Sequence, residues 1–268
     1  MTDDRPRVRP QPPRGRWLPL LASLPGLAFI ALPIGALLWL GFSEDAMRAM
    51  WLPASLQAMR VSLTVATSAT LVCVMLGLPI AWWLSRDPRV GARLVRGLAM
   101  TPLVMPPVVA GTGLLLTLGR KGLLGAKLDA LGLSISFTSL AAVLAAAFVS
   151  MPLIILSGEA AFRSLSPAHD EVARTLGAGR YARLRHIVIP QLRRPLFAAT
   201  ALCFGRALGE FGATITFAGS FPGRTRTVPL AVYQLLQGDQ NSAVALSVSL
   251  IAVSFLIMIL SGRVVRSP

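Results

Sequence analysis

Residues 61–85 read VSLTVATSATLVCVMLGLPIAWWLS and contain no charged side chain. A helix that crosses the hydrocarbon core of a bilayer needs about 20 mostly apolar residues, so this segment is long enough to span a membrane. The whole chain of 268 residues is 54% hydrophobic and only 14% charged, whereas a soluble domain carries about 25% charged residues. We therefore expect a membrane-embedded protein.

Six apolar segments are long enough to span a bilayer, and they predict an all-α integral membrane protein with about six transmembrane helices. The helices are predicted near residues 17–43, 57–85, 97–119, 138–158, 195–218 and 241–262. No change of composition divides them, so residues 17–268 are interpreted as a single transmembrane domain. Residues 1–16 are rich in Pro and Arg, which predicts a disordered basic cytoplasmic tail.

The distribution of basic residues predicts how the chain is oriented, because short cytoplasmic loops retain Lys and Arg. With the N-terminus inside, 18 of the 26 Lys and Arg residues lie on the cytoplasmic side and 7 on the outer side. Both termini of this multi-pass, lipid-surrounded protein of the cell membrane are therefore predicted to be cytoplasmic. The net charge of +15 does not indicate nucleic-acid binding, since the basic residues lie between apolar runs rather than on a polar domain.

The longest predicted cytoplasmic connection, residues 159–194, carries a spaced motif. Its positions are Glu171, Ala173, Gly177, Ile187 and Pro190. The spacing resembles the EAA loop of ABC importer permeases, with Val172 and Ile189 as mild departures. In this interpretation Gly177 permits a sharp turn, and Pro190 ends one element before the next helix rises. An amphipathic surface helix with an incidental Gly and Pro is the plainer alternative.

The resemblance to the EAA loop implies that a separate ABC ATPase subunit docks on this connection. A phosphate-binding loop needs Gly-Lys-Ser/Thr, and the only lysines, Lys121 and Lys127, follow Arg and Ala. We therefore expect ATP and Mg²⁺ to be bound by the partner, with no cofactor in this chain. No metal site is predicted, and the chain is not expected to be an enzyme, because both histidines, His169 and His186, lie in the cytoplasmic connection.

Two charged residues, Arg206 and Glu210, stand four positions apart in the fifth predicted helix, where they share a face and can pair. Charges inside a membrane are costly and mark the bundle interior or a watery path. One hypothesis is that the pair lines or gates the route of an anion, and the alternative is that it only locks helix packing. Pro106 and Pro107 must kink or break the third helix, either to shape a translocation path or as a structural feature alone.

Three further stretches are similar to the molybdate and sulfate permeases among the type I ABC importers. They are PLVMPPVVAG at 102–111, GRALGEFGAT at 205–214 and PGRTRT at 222–227. The last of these is closer to the molybdate permeases. The resemblance implies the type I importer permease fold, a homodimer of permeases, an extracytoplasmic oxyanion-binding protein and import of molybdate. Sulfate, tungstate and thiosulfate remain alternatives within that family.

Two other functional classes make different demands on the sequence than an importer permease does. A channel or secondary transporter would work without an ATPase and would not need a basic connection with this spacing. An intramembrane enzyme would need a nucleophile, base or metal ligands within the helices. The motif at 171–190 favours the importer permease over both.

Overall fold

The computed structural model of the chain describes residues 17–165 and 173–266, and within these ranges it contains helices and no strand. In chain order the helices are α1 (Trp17–Gly41), α2 (Glu44–Met50), α3 (Pro53–Arg86), α4 (Val90–Val104), α5 (Pro107–Leu118), α6 (Gly125–Ala130), α7 (Ser139–Arg163), α8 (Arg180–Arg183), α9 (Ile189–Leu208), α10 (Gly212–Phe217), α11 (Val228–Leu235) and α12 (Gln240–Arg266). A π-helical turn, Leu184–Val188, joins α8 to α9.

Among the described residues, five helical stretches are long and apolar enough to cross a membrane. They are α1, α3, α7, the continuous stretch α8–α9, and α12. The pair α4–α5 is a sixth if it counts as one span with a bend of 116°. The expected all-helical membrane fold is therefore present, and the third predicted span is the unusual one.

The centre of the bundle is the contact between α3 and α7, which run parallel. The Cys73 thiol donates to the Ala147 carbonyl at 3.3 Å, and eleven residues further along α3 the Leu84 carbonyl accepts from Arg163 at 3.3 Å. The helices approach closely because their facing residues are small. The buried alanines of α7 are Ala141, Ala142, Ala145, Ala146, Ala147 and Ala161, and small residues at such positions let helix backbones pack tightly in a membrane.

The first helix lies outside this bundle. None of the most apolar part of α1 is buried, and Phe29 and Trp39 are each more than four-fifths exposed. At its end, Gly41 lies against Val248 of α12. An apolar helix of this length with an exposed surface is suited to a lipid environment.

The structure divides two helices that the sequence predicted as single spans. The helix predicted over 97–119 is two helices, α4 and α5, because Pro106 and Pro107 interrupt the backbone hydrogen-bond ladder. The helix predicted over 195–218 ends at Leu208, and α10 begins at Gly212. Within the predicted connection 159–194, α7 continues to Arg163 and α8 begins at Arg180.

Pro190 lies next to the boundary between two helical elements, since the π-helical turn ends at Val188 and α9 begins at Ile189. It lies in the first turn of α9, and the helical stretch runs through it from Arg180 to Leu208. Proline lacks an N–H and clashes with the carbonyl four residues earlier in a regular α-helix. The π-helical turn Leu184–Val188 lies immediately before Pro190, and wider turns of this kind are a common accommodation of a break in the ladder.

Candidate functional site

The first part of the candidate site is the break between α4 and α5. Helix α4 ends with the Met105 N–H donating to the Thr101 carbonyl at 3.0 Å, and α5 begins with the Ala110 N–H donating to Pro106 at 3.1 Å. Pro106 precedes α5 as its cap and Pro107 is its first residue, a position where a missing N–H costs no helical hydrogen bond. The predicted break at the two prolines is present and bends the chain by 116°.

The second part is the break between α9 and α10, where the ion pair lies. Arg206 Nη1 donates to Glu210 Oε2 at 2.7 Å, as the spacing predicted. Glu210, however, follows the end of α9 rather than lying within it. Its Oε1 accepts from the Ala213 N–H at 2.8 Å, so the carboxylate satisfies a free backbone donor in the first turn of α10.

The two members of this pair differ in burial. The Glu210 side chain is 1% exposed and the Arg206 side chain 32% exposed. A guanidinium has five N–H donors, and among the described residues only Glu210 accepts from Arg206. Arg206 therefore keeps donors that are not bonded to Glu210, while its charge is paired with a buried carboxylate.

The two breaks pack against each other. A Cβ added to Gly212 would come within 2.7 Å of Pro107 Cβ, and one added to Gly111 would come within 2.8 Å of the Ala213 backbone. Helices α5 and α10 therefore touch through glycine at both positions. The structure brings Pro107 and the Arg206–Glu210 segment into one region, as a shared site requires.

The predicted ATPase-docking residues lie on a separate part of the chain. Glu171 falls outside the described residues. Ala173 is half-buried, and Gly177 is exposed with φ of +79°. The Ala178 N–H donates to Ala173 at 2.9 Å and the Gly177 N–H to Arg174 at 3.0 Å, which is the pair of bonds that ends a helix in a Schellman motif. The sharp turn expected at Gly177 is therefore present.

Exposed apolar residues stand on both sides of the turn. Leu176 is 81% and Tyr181 72% exposed, while Ile187 is half-buried in the π-helical turn and Pro190 is exposed. Exposed apolar side chains beside a rigid turn are typical of a surface that fits a partner. Nothing about this geometry positions Ile187 and Pro190 beside Gly177 as one contact, so they remain predictions.

Sequence reasoning missed a cluster of three charged residues. Glu159, near the end of α7, accepts from Arg96 of α4 and from Arg163. Residues 96 and 159 are far apart in the chain, so no local pattern could reveal this contact. The available signal was the i,i+4 spacing of Glu159 and Arg163 at the end of an uncharged run.

A metal site within residues 17–165 and 173–266 would need several ligating side chains close together. These ranges contain no group of three or more His, Cys, Asp or Glu side chains that could hold a metal ion. Cys73 and Cys203 are both buried and form no disulfide.

The fold is shared with chains of solved ABC transporters. A bacterial transporter involved in import of the acidic polysaccharide alginate matches with a TM-score of 0.70 at 18% identity, over 93% of this chain and 95% of that one. The MetNI methionine transporter, in inward-facing conformations, matches with a TM-score of 0.59 at 19% identity, over 84% and 98%. The chain therefore has the same fold as these transporter chains.

Sequence comparison identifies the family. The chain belongs to the family of binding-protein-dependent transport system inner membrane components, which matches residues 74–267. It is 40% identical to the molybdenum transport system permease protein ModB of Mycobacterium tuberculosis, over 96% of this chain and 95% of that protein. It is 39% identical to ModB of Escherichia coli, over 78% and 93%.

Proposed function

We propose that this chain is the permease subunit of an ATP-driven importer and forms the path by which molybdate crosses the cell membrane. The observation that carries the substrate is the 40% identity, over nearly the full length of both chains, to a permease named for molybdenum transport. The match to a binding-protein-dependent transport family supports the importer. Catalysis is assigned to another subunit, so this chain contributes a path and a coupling surface.

The path is assigned to the region where the two helix breaks meet. Non-helical backbone at membrane depth is tolerated only where it is buried in protein or lines a watery cavity. Pro106 and Pro107 supply one break, and the Arg206–Glu210 pair stands beside the other. Arg206 attracts the oxyanion. Glu210 competes with the anion for the Arg206 guanidinium and pairs with it again when the anion leaves, so the anion is not trapped.

The partners follow from the segment around Gly177. An ABC ATPase, which holds ATP and Mg²⁺, docks on the connection that contains Glu171 and Ala173, against the exposed Leu176 and Tyr181. Because one chain offers one such segment, two copies of this chain serve two ATPases. An extracytoplasmic protein delivers the oxyanion on the opposite side, and both termini are then cytoplasmic, in agreement with the positive charge of the predicted inner loops.

The decisive experiment is uptake into proteoliposomes that contain the chain, its ATPase and its binding protein. We expect uptake of molybdate that requires ATP and is lost with Gly177→Pro. The same vesicles are tested with tungstate, sulfate and thiosulfate at equal concentration. Uptake of sulfate or thiosulfate alone would keep the importer and reject molybdate as its substrate.

A control without the ATPase tests the class of protein. Uptake that proceeds at the same rate without ATPase and ATP is the behaviour of a channel or secondary transporter, and it would reject the importer. Binding-protein dependence is tested by omitting that protein from the vesicles. An importer of this family loses uptake in both controls.

A further inference from the structure

One buried carboxylate links three helices. Glu159 of α7 is 6% exposed. Arg96 of α4 donates to it twice, from Nε to Oε2 at 2.9 Å and from Nη2 to Oε1 at 2.6 Å. Arg163, one turn later in α7, donates from Nε to Oε1 at 2.9 Å. A two-pronged arginine–carboxylate contact fixes orientation as well as distance.

The third helix, α3, takes part in the contact through a backbone carbonyl group. Arg96 Nη2 and Arg163 Nη2 both donate to the Leu84 carbonyl at 3.3 Å. Leu84 lies in the last turn of α3, where carbonyl groups have no partner within the helix. The two arginines thus tie the end of α3 to the same carboxylate, and the name triad is used below for Arg96, Glu159 and Arg163.

Helix α4 is held to its neighbours by a small apolar cluster and by the triad. Of its fifteen residues, all of them described, only Ala92 and Pro102 are buried, whereas thirteen residues of α7 are buried. The apolar cluster contains Ala92, Ala99 and Met100 of α4 together with Leu84 and Ile155. Arg96 adds the two-pronged contact, which fixes the direction of α4 relative to α7.

The triad also lies between two regions that the proposed function assigns to different tasks. Four residues after Glu159, α7 ends, and the chain passes into the connection that leads to the Gly177 turn. In the other direction, α4 leads to the 116° break at Met105–Pro106. Helix α5 then packs on α10 beside Glu210.

We propose that Glu159, held by Arg96 and Arg163, is a positioning residue that transmits movement of the ATPase-docking connection to α4 and so to the break at Pro106. The inference rests on the proposed function. A movement of the end of α7 carries α4 with it because the contact is directional and its carboxylate is buried. Without the carboxylate, a movement of α7 is no longer transmitted to α4.

The test compares Glu159→Gln with wild type in the complete complex of permease, ATPase and binding protein. Two quantities are measured in the same proteoliposomes: ATP hydrolysis stimulated by the loaded binding protein, and molybdate taken up per ATP hydrolysed. We expect uptake per ATP to fall about fivefold or more, the lower end of ordinary coupling between sites, while the amount of assembled complex is unchanged.

Two further variants separate coupling from stability. Arg96→Lys keeps the charge but loses the two-pronged contact, and it is expected to lower uptake per ATP as well. Glu44→Gln breaks a pair at 3.6 Å whose side chains are 80% and 89% exposed, and it serves as the matched control that leaves the ratio unchanged. If Glu159→Gln fails to assemble, Arg96→Lys decides.

The outcomes are distinguishable. If wild type shows no ATP-dependent molybdate uptake, the proposed function itself fails. If wild type transports and the assembled triad variants keep its uptake per ATP, the inference is overturned. It is equally overturned if uptake and hydrolysis fall together in proportion to lost complex, because that is the behaviour of a purely structural ion pair.

Discussion

Gly111 of α5 lies directly against the backbone of Ala213 in α10. A Cβ at residue 111 would come within 2.8 Å of both the Cα and the carbonyl oxygen of Ala213, closer than a Cβ approaches other non-bonded atoms. The contact exists only because residue 111 has no side chain. It holds together the two helices that follow the breaks in the chain, so the geometry of the candidate path depends on it.

Gly111→Ala is therefore expected to destabilise the protein. Backbone atoms cannot rotate away as a side chain can, so the added methyl must push α5 from α10 at a cost of about 1–3 kcal/mol, as for other overpacked sites. The measurement is the thermal unfolding midpoint of the purified chain. Gly113→Ala in the same helix is the control, because a Cβ there meets nothing within 4 Å; a lower midpoint for it than for Gly111→Ala would contradict the packing argument.

Glu210 variants test whether the buried pair serves transport. Glu210→Gln keeps an oxygen that can accept from the Ala213 N–H, but removes the charge that Arg206 meets at 2.7 Å. We expect assembly to be retained and molybdate uptake to fall at least about tenfold, the factor that corresponds to 1.4 kcal/mol. Glu210→Ala loses both bonds and should also reduce assembly. Normal uptake and normal assembly in Glu210→Gln would reject a gating role.

Much of the bundle could be predicted because local sequence determines it. The uncharged runs that became α3, α7 and α12 are long enough that no other structure suits them in a membrane. The break in the helix at Pro106 and Pro107 could be predicted from backbone chemistry alone, because proline lacks the N–H that a helix interior needs. The pairing of Arg206 with Glu210 follows from spacing, since the residues stay one turn apart even though the helix ends between them.

The remaining features depend on contacts distant in sequence. Gly209 is the C-cap of α9 and gives a local signal for its end, but the packing of Gly212 on Pro107, which also favours the break, joins residues far apart in the chain. The Arg96–Glu159 contact joins residues 63 positions apart. Periodicity also does not foresee the π-helical turn Leu184–Val188, which directly precedes the start of α9.

Asp239 gives a prediction about pH. Hydrogen bonds from the Ser242 hydroxyl and from its backbone N–H, at 2.5 and 3.0 Å, lower the pKa of this carboxyl below its ordinary value. A group whose pKa is lower in the folded state stabilises the fold above its unfolded pKa of about 3.9. That stabilisation is lost as pH falls through the folded value. Asp239 precedes α12 and caps its first turn.

The stabilising effect of Asp239 should therefore shrink in acid. We expect the unfolding midpoint of wild type to exceed that of Asp239→Ala at pH 7, with the difference narrowing as pH falls below 4. Asp239→Asn, which can cap without a charge, should show a difference from Asp239→Ala that is independent of pH. A wild-type advantage that stays constant through acid pH would show that the ionised carboxylate is not what caps the helix.

Gly177 offers the sharpest test of the docking segment, because a matched glycine lies two residues away. At φ of +79° an L-residue is disfavoured by roughly 1–2 kcal/mol, so Gly177→Ala strains the Schellman turn. Gly179→Ala is the control, because its added methyl group meets nothing within 4 Å and residue 179 has no positive φ. Gly177→Pro additionally removes the N–H that donates to Arg174.

We expect the ATPase to co-purify with Gly179→Ala as with wild type, less with Gly177→Ala, and least with Gly177→Pro. If Gly177→Pro retained the ATPase and transported like Gly179→Ala, the turn would have no part in docking, and the segment that contains Glu171 and Ala173 would lose its assigned role.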